Sequence, residues 1–315
     1  MNDGDRADLH VHTTASDGTY TPSRAVLAAK RAGLAAVAIT DHDTAGGVAE
    51  ALRAGLEAGI EVIPGLEINT DFGSTEIHVL GYLAWPLPER LSGLLARMRE
   101  AREGRVDEMV RRLSRAGVKI SASRVREIAA GGVVGRPHVA RAMVEAGSVR
   151  SVPEAFELYL NVGRPCYVER YKITPHDAVR ELVVAGAVTV LAHPGSARRD
   201  DVIPELVGAG LRGIEVYHPD HDHAAVARYL EIASEYSLLV TGGSDSHGED
   251  EYGSTIGRVT VPHVAVTRMK AIRAEMEYGP SAPDIIATGR TKPGGDQGEV
   301  HRAHGRRPGA GDTAP

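Results

Sequence analysis

Histidines and carboxylates cluster at three points of the sequence, each beside a short apolar run. The clusters are His10 with His12, Asp41 to Asp43, and Asp245 with His247. Because alternate side chains of a strand point to the same side, His10 and His12 would share one face of a strand. Imidazoles and carboxylates repeated at strand ends are what a site for several metal ions requires. The pattern predicts a metal-dependent hydrolase.

Further candidate ligands occupy equivalent places, at or just after the end of an apolar run. They are Asp17, His42, Glu67 and His193, with Glu215 in a comparable place; His78 is the exception, because it lies inside an apolar run. The carboxyl ends of barrel strands converge on one face, where active sites form. A single histidine on a strand is commonly a hydrogen-bonded structural residue, but so many equivalent positions favour a shared metal site.

The elements that would position these residues alternate between strand and helix. We predict strands at residues 7–12, 34–40, 60–63, 76–82, 187–192, 213–217 and 238–241, with a short further one at 256–261. Helices are predicted near residues 21–32, 47–58, 174–185, 200–209, 222–236 and 263–278. Continuous apolar runs are typical of buried parallel strands. Seven such strand–helix units favour an α/β barrel over an open sheet.

One long segment interrupts the alternation and contains no convincing strand. We predict a helix from Pro88 to Arg115 and shorter helices at residues 121–129, 136–146 and 153–161. The predicted organisation is a discontinuous barrel domain (residues 1–87 and 166–279), an all-helical insertion or cap (88–165) and a disordered tail (280–315). The tail is rich in glycine, proline and charge and has no apolar pattern.

The composition limits the possible partners and compartment. The net charge of -6 argues against a broad basic face for long duplex nucleic acid. The single cysteine, Cys166, cannot form an intramolecular disulfide, fits a reducing cytoplasm and matches no nucleophile pattern. No secretory signal and no apolar run of about 18 residues is present, so we expect no membrane span. These features predict a cytoplasmic protein.

Six segments resemble the successive motifs of the PHP (polymerase and histidinol phosphatase) family. In order, they are residues 8–18, 39–43, 64–68, 77–82, 191–195 and 243–247. The resemblance extends from about residue 7 to 262. It is closest to the stand-alone phosphoesterases of the family, which carry an insertion in the same place. It implies a distorted (β/α)7 TIM-like barrel.

The resemblance also implies up to three metal ions. The first would be held by His10, His12, Glu67 and Asp245, the second by Glu67, His78 and His193, and the third by Asp17, His42 and His247. Mixed imidazole and carboxylate ligands suit Mn, Fe or Zn better than Mg. Two or three divalent ions would make the site cationic within an acidic protein, which fits a phosphate group.

The expected reaction is hydrolysis of a phosphomonoester by a metal-bound hydroxide that attacks phosphorus in line. Asp17, Glu67 and Asp245 would be catalytic as metal ligands. His218 is a candidate proton donor to the leaving oxygen. A packing role for His218 remains the alternative.

Three more residues have two open interpretations each, and a fourth has one. Arg136 begins a helix of the insertion and would bind a phosphate bidentately, or it is a solvated helix start. His138 is either its partner in phosphate binding or a structural residue. Glu215 either supports a metal-bound histidine or simply ends a strand. His221 begins a predicted helix, and we expect it at the surface.

The resemblance points to a small nucleotide as the phosphorylated substrate, either a nucleoside 3′,5′-bisphosphate or a monophosphate, or to the 5′ end of a short RNA. Histidinol phosphate is the alternative substrate. A non-catalytic PHP binding module is a further alternative, but such a module should have lost ligands. Amidohydrolase barrels also begin with two histidines, yet they typically bridge two metals with a lysine carbamate. Here Glu67 is the natural bridge, and no lysine ends a predicted strand.

Overall fold

The structure, a computed structural model, describes residues 5–73, 75–83, 85–169 and 173–278. The chain up to Pro280 forms one compact unit. The predicted disordered tail at 280–315 lies outside the described residues.

Eight strands of the described chain form one sheet in the order β10-β1-β2-β3-β4-β5-β6-β7, and β8 pairs with β9 separately. The strands are β1 (Arg6–Asp8), β2 (Ala36–Ile39), β3 (Glu61–Phe72), β4 (Thr75–Tyr82), β5 (Val188–Leu191), β6 (Gly213–Tyr217), β7 (Leu239–Gly242), β8 (Glu249–Asp250), β9 (Gly253–Ser254) and β10 (Val261–Pro262). Both β1-β2-β3 and β5-β6-β7 are parallel. The short strand β10 pairs antiparallel with β1.

The two sides of this sheet meet beyond the ends of β1 and β7, so the barrel is nearly closed. The Leu9 amide donates to the Gly242 carbonyl oxygen at 3.2 Å, and the His12 amide donates to that of Ser246 at 2.8 Å. Val11 and Ser246 form an isolated parallel bridge. The predicted TIM-like barrel is confirmed, although regular β1 ends at Asp8 and not at the predicted His12.

The direction of β4 differs from the uniform parallel order that the strand–helix alternation predicts. β4 is antiparallel to both β3 and β5. β3 is also longer than predicted, and it continues through Phe72 into a tight turn where Gly73 has a φ of 65°. Such a left-handed turn needs glycine and reverses the chain without a helix.

Helices surround the strands. They are α1 (Pro22–Arg31), α2 (Val48–Ala58), α3 (Glu89–Arg115), α4 (Ala122–Ile128), α5 (Arg136–Glu145), α6 (Val152–Ala155), α7 (Pro175–Val184), α8 (Pro194–Ala197), α9 (Ile203–Ala209), α10 (His223–Glu235) and α11 (Val264–Tyr278). Local sequence fixes several boundaries. The Thr21 and Thr174 side chains accept hydrogen bonds from first-turn amides of α1 and α7, each with proline at the first helical position. None of the described helices is both long and apolar enough to cross a membrane.

The described part of residues 88–165 is helical, through α3 to α6 and a π-helical turn at Phe156–Leu160. It has an apolar core of its own, which includes Val106, Met109, Leu113 and Met143. This core fits the predicted insertion. The division into a barrel domain and a cap domain stays a prediction.

Candidate metal centre

All nine predicted ligands meet on one side of the barrel. Glu67 and His78 lie within β3 and β4, and the other seven lie in the loops that follow strands. Each has an imidazole nitrogen or carboxylate oxygen within 4.0 Å of another member of the set. His10 and His12 converge especially closely, with their Nε2 atoms 3.1 Å apart. The fold thus brings together residues separated by more than two hundred positions.

Glu67, which is fully buried in β3, lies at the middle of the set. Five imidazoles surround its carboxylate: Oε1 lies 2.9 Å from His78 Nδ1 and 3.0 Å from His193 Nε2, and Oε2 lies 2.7 Å from His42 Nδ1, 3.3 Å from His12 Nε2 and 3.4 Å from His10 Nε2. A carboxylate with both oxygens shared in this way is suited to bridging cations.

Three overlapping groups have ligand atoms within 4.8 Å of one another. They are His10, His12 and Glu67; His42, Glu67 and His78; and His12, Asp17, His42 and His247. The groups resemble the sets that the family resemblance implies. They differ in that His12 also lies with the third set and His42 with the second, and in that Asp245 is missing from the first group and His193 from the second.

Several buried polar atoms of these groups lack a hydrogen-bond partner. They are Glu67 Oε2, Asp17 Oδ1, His12 Nδ1 and His42 Nδ1, and Oδ1 of the neighbouring candidate ligand Asp245 also lacks one. Leaving buried carboxylate oxygens without donors is costly unless a cation compensates their charge. The donor set of imidazole nitrogens and carboxylate oxygens therefore fits divalent transition metal ions.

The electrostatics also favour cation binding. Burial alone would raise the pKa of Glu67, but the imidazoles of His42 and His78 outweigh burial and hold it well below its usual value. At Asp17, too, burial raises the pKa, but the neighbouring imidazoles, chiefly that of His42, lower it by more. The pKa of Asp17 is therefore also well below its usual value. Burial lowers the pKa of the His12 imidazole to about 3. Ionised carboxylates and a neutral imidazole are the forms that bind metal.

Glu215, at the centre of β6, supports two of the histidines. His10 Nδ1–H donates to Glu215 Oε1 at 3.1 Å, and the backbone amide of His193 donates to Oε2 at 2.9 Å. In the neutral form of the ring, which is the form that binds metal, the first bond places the proton on Nδ1 and leaves the Nε2 lone pair directed toward Glu67 and Asp245. Glu215 therefore orients the candidate ligands without being one.

His218 also borders the centre. Its Nδ1 accepts the Asp220 amide at 3.1 Å, and its Nε2 lies 3.3 Å from Asp245 Oδ2. The amide bond makes Nδ1 an acceptor, so the proton of the neutral ring is on Nε2, on the side of the candidate ligands.

Arg136 and His138 lie in the first turn of α5, and Arg136 borders the centre by way of Glu76. Arg136 Nη2 donates to Glu76 Oε1 at 2.8 Å, and Glu76 Oε2 lies 4.0 Å from His78 Nε2. His138 is 1% exposed, and its Nδ1 accepts the Gly135 amide at 3.0 Å. Burial lowers the pKa of His138 to about 4, so the ring is neutral and carries its proton on Nε2.

Asp8 and Asp41 organise the ligand loops, although the sequence did not indicate it. Asp8 accepts the amides of Ser244 at 2.9 Å and Gly257 at 2.8 Å, which links β1 to the loop after β7. Burial raises the pKa of Asp8 to about 6. Asp41 accepts the Thr13 amide at 2.7 Å. The only sequence signal was their position beside candidate ligands.

His221 is half-buried, so its prediction as a surface residue was wrong. Its Nδ1–H donates to the Val216 carbonyl at 2.9 Å, and its Nε2 accepts the Gly195 amide at 3.1 Å. A Cβ on Gly195 would lie 2.7 Å from the His221 ring, so this close approach requires glycine. His221 thereby fastens the turn that follows His193.

Comparisons with known proteins agree with this geometry. The family model for the PHP domain matches residues 8–84. The chain is 32% identical over 256 residues to the 3′,5′-nucleoside bisphosphate phosphatase of Chromobacterium violaceum, covering 79% of this chain and 90% of that protein. It is 34% identical over 261 residues to the phosphoribosyl 1,2-cyclic phosphate 1,2-diphosphodiesterase of Eggerthella lenta, covering 82% and 97% of the two chains.

Two further similarities extend the range of relatives. The 5′-3′ exoribonuclease Rnm of Escherichia coli is 37% identical over 259 residues, which is 76% of this chain and 84% of the exoribonuclease. A solved structure of a metal-dependent phosphoesterase from Bifidobacterium adolescentis superimposes with a TM-score of 0.79 at 33% identity, over 85% of this chain and 96% of that one. What these proteins share is hydrolysis of a phosphate ester.

Proposed function

From the premise that this chain belongs to the PHP domain family, we propose that it removes the phosphate of a small nucleotide or of the 5′ end of a short RNA. The chain is a metal-dependent phosphoesterase, as its similarity to phosphatases and exoribonucleases over most of their length shows. The exact substrate, the ligand set and the metal are the proposed parts.

The arrangement around Glu67 carries the ligand proposal. Five imidazoles approach one buried carboxylate, and unpaired oxygens of Asp17 and Asp245 lie beside them. We assign the nine candidate ligands to two or three ions of Mn, Fe or Zn. When bound, such ions acidify water and neutralise the charge that develops on a phosphate ester.

The proposed compartment is the cytoplasm. The lone cysteine fits a reducing compartment of this kind.

The protein's own groups would orient the substrate. Arg136 can exchange Glu76 for a phosphate, to which a guanidinium donates two parallel hydrogen bonds. The neutral His138 would donate from Nε2 to the same phosphate. His218, whose proton lies on Nε2, would protonate the leaving oxygen. The insertion therefore offers hydrogen-bond donors for a phosphate, and the barrel offers a proton donor for the leaving oxygen.

Arg136→Ala is expected to raise KM for a phosphorylated nucleotide about 10-fold to 100-fold, because one charge-assisted contact is worth roughly 1.5–3 kcal/mol. Metal content should stay unchanged, since Arg136 contacts Glu76 and none of the candidate ligands. Steady-state kinetics and elemental analysis would test both. Arg124→Ala, which breaks only exposed ion pairs with Glu127 and Glu145, is the control. Loss of metal from Arg136→Ala would contradict the phosphate role.

The substrate proposal is tested by measuring phosphate release with Mn supplied. Adenosine 3′,5′-bisphosphate, adenosine monophosphate, a short 5′-phosphorylated RNA and histidinol phosphate would be compared at equal concentration. We expect kcat/KM to be highest for one of the nucleotides or for the RNA. A preference for histidinol phosphate would overturn the proposal of a nucleotide substrate but would still identify the protein as a phosphatase. No phosphate release from any of these monoesters, together with chromatographically detected opening of a cyclic phosphodiester, would overturn the monoester proposal.

A further inference from the structure

The helical insertion contacts the loop that carries Asp17. Arg141, on α5, donates from Nη2 to the backbone carbonyl of Asp17 at 2.7 Å. The Val133 amide, just before α5, donates to the carbonyl of Ala15 at 2.9 Å. The backbones pack so closely here that a Cβ on Gly132 would lie 2.3 Å from the Thr14 carbonyl oxygen. The insertion thus holds the Asp17 loop from outside the barrel.

A second insertion helix contacts the loop that carries His42. Arg102, on α3, donates from Nε to Asp43 Oδ2 at 2.7 Å, and its Nη2 also contacts that oxygen. Asp43 is 2% exposed and directly follows His42. Its other oxygen, Oδ1, accepts the Asn69 amide at 3.0 Å, and its own amide donates to the Glu67 carbonyl. Arg102 therefore forms an ion pair with the buried carboxylate of Asp43, which in turn fixes the end of the loop that carries His42.

Both loops supply ligands to the same candidate group, that of His12, Asp17, His42 and His247. By contrast, Glu215, a residue of the barrel strand β6, supports His10 and His193. Asp17 belongs to this group alone, whereas His42 also lies with Glu67 and His78. The group of His12, Asp17, His42 and His247 is therefore the one on which both contacts from the insertion act. Removing either contact should therefore affect the ion of that group more than the others.

We propose that Arg102 and Arg141 are positioning residues for the third ion, so that docking of the insertion and binding of that ion favour each other. The proposal rests on the ligand set assigned under the proposed function. Because linkage is reciprocal, an ion held by Asp17 and His42 stabilises the docked insertion by the same free energy that docking lends to the ion. The insertion then acts on the metal content.

The test is a titration of the metal-free protein with Mn, read as ions bound per chain and as the affinity of each step. The wild type should bind three ions. Arg141→Ala should weaken one step about 10-fold to 100-fold, the usual effect of removing a group that orients a ligand, and leave the other steps unchanged. Arg141→Lys, which keeps a donor, should restore part of the loss. Arg102→Lys should weaken the same step, because a lysine cannot reproduce the two contacts to Asp43.

The matched control is Arg111→Ala on the same helix α3. Arg111 forms an exposed ion pair with Glu108 of that helix and should leave every step unchanged. Thermal unfolding of each metal-free variant reports on folding. Three unchanged steps in Arg141→Ala, or equal weakening of all steps with a lower Tm, would overturn the proposal. A wild-type protein that binds only two ions would also overturn the proposal. If that protein still releases phosphate, the proposed phosphatase function is retained.

Discussion

Glu67→Gln is expected to lower kcat by at least about 1,000-fold and to reduce the number of bound ions. A thousandfold loss corresponds to about 4 kcal/mol, within the several kcal/mol that metal ions contribute to such reactions. Its carboxylate lies within 3.4 Å of five candidate imidazoles. A neutral amide would remove the charge that is proposed to bridge two ions and would point two N–H donors into their place.

The control for this substitution lies on the same strand. Glu61 is at the beginning of β3, where it contacts His263 at 3.2 Å, away from the metal centre. Glu61→Gln should leave turnover and metal content near wild-type values. Elemental analysis and phosphate release measured on the three proteins decide the matter. Full metal content and turnover in Glu67→Gln would refute the assignment of Glu67 as the bridge.

The sequence predicted which residues come together in the candidate metal centre, because its signals are local. Each candidate ligand lies within a few residues of an apolar strand, and parallel strands end on one face. His10 and Asp245 could therefore be expected to meet although the segments between them were unknown. In the structure the His12 imidazole lies 3.0 Å from Asp245. The alternation of side chains along a strand and the location near a strand end were sufficient to predict that these residues meet.

The direction of β4 was not predictable from the same signals. An apolar strand has the same alternation in either direction, so only the connection decides. Here the connection is the turn at Gly73, and the length of β3, which reaches Phe72, was underestimated. His78 was the one candidate that did not lie at a strand end, and it comes from the reversed strand. Its exceptional position reflects that reversal.

The supporting contacts could not be predicted because they join distant segments through single side chains. Arg102 and Asp43 are 59 residues apart, and Arg141 and Asp17 are 124 apart. Arginines on a helix normally indicate a solvated face, and nothing local distinguishes these two from Arg111 or Arg124, which make ion pairs at the surface. Only the docking of the insertion identifies their partners.

Glu215→Gln is expected to weaken metal binding about 10-fold to 100-fold, the usual cost of altering a group that orients a ligand. Glu215 is fully buried, and although burial raises its pKa, His10 outweighs burial and lowers it, so the side chain is a carboxylate. Its two oxygens accept from His10 Nδ1 and from the His193 amide. An amide can accept at only one of these positions, so one donor loses its partner.

Saturating metal should distinguish Glu215 from Glu67. If Glu215 only orients His10 and His193, raising the Mn concentration should restore most of kcat in Glu215→Gln, because the ligands themselves remain. The same addition should not rescue Glu67→Gln, where a ligand is lost. Glu205→Gln, which alters a glutamate of α9 near His176, controls for the substitution itself. Failure of metal to restore Glu215→Gln, with all ions bound, would mean that Glu215 acts on the reaction directly and not through the histidines.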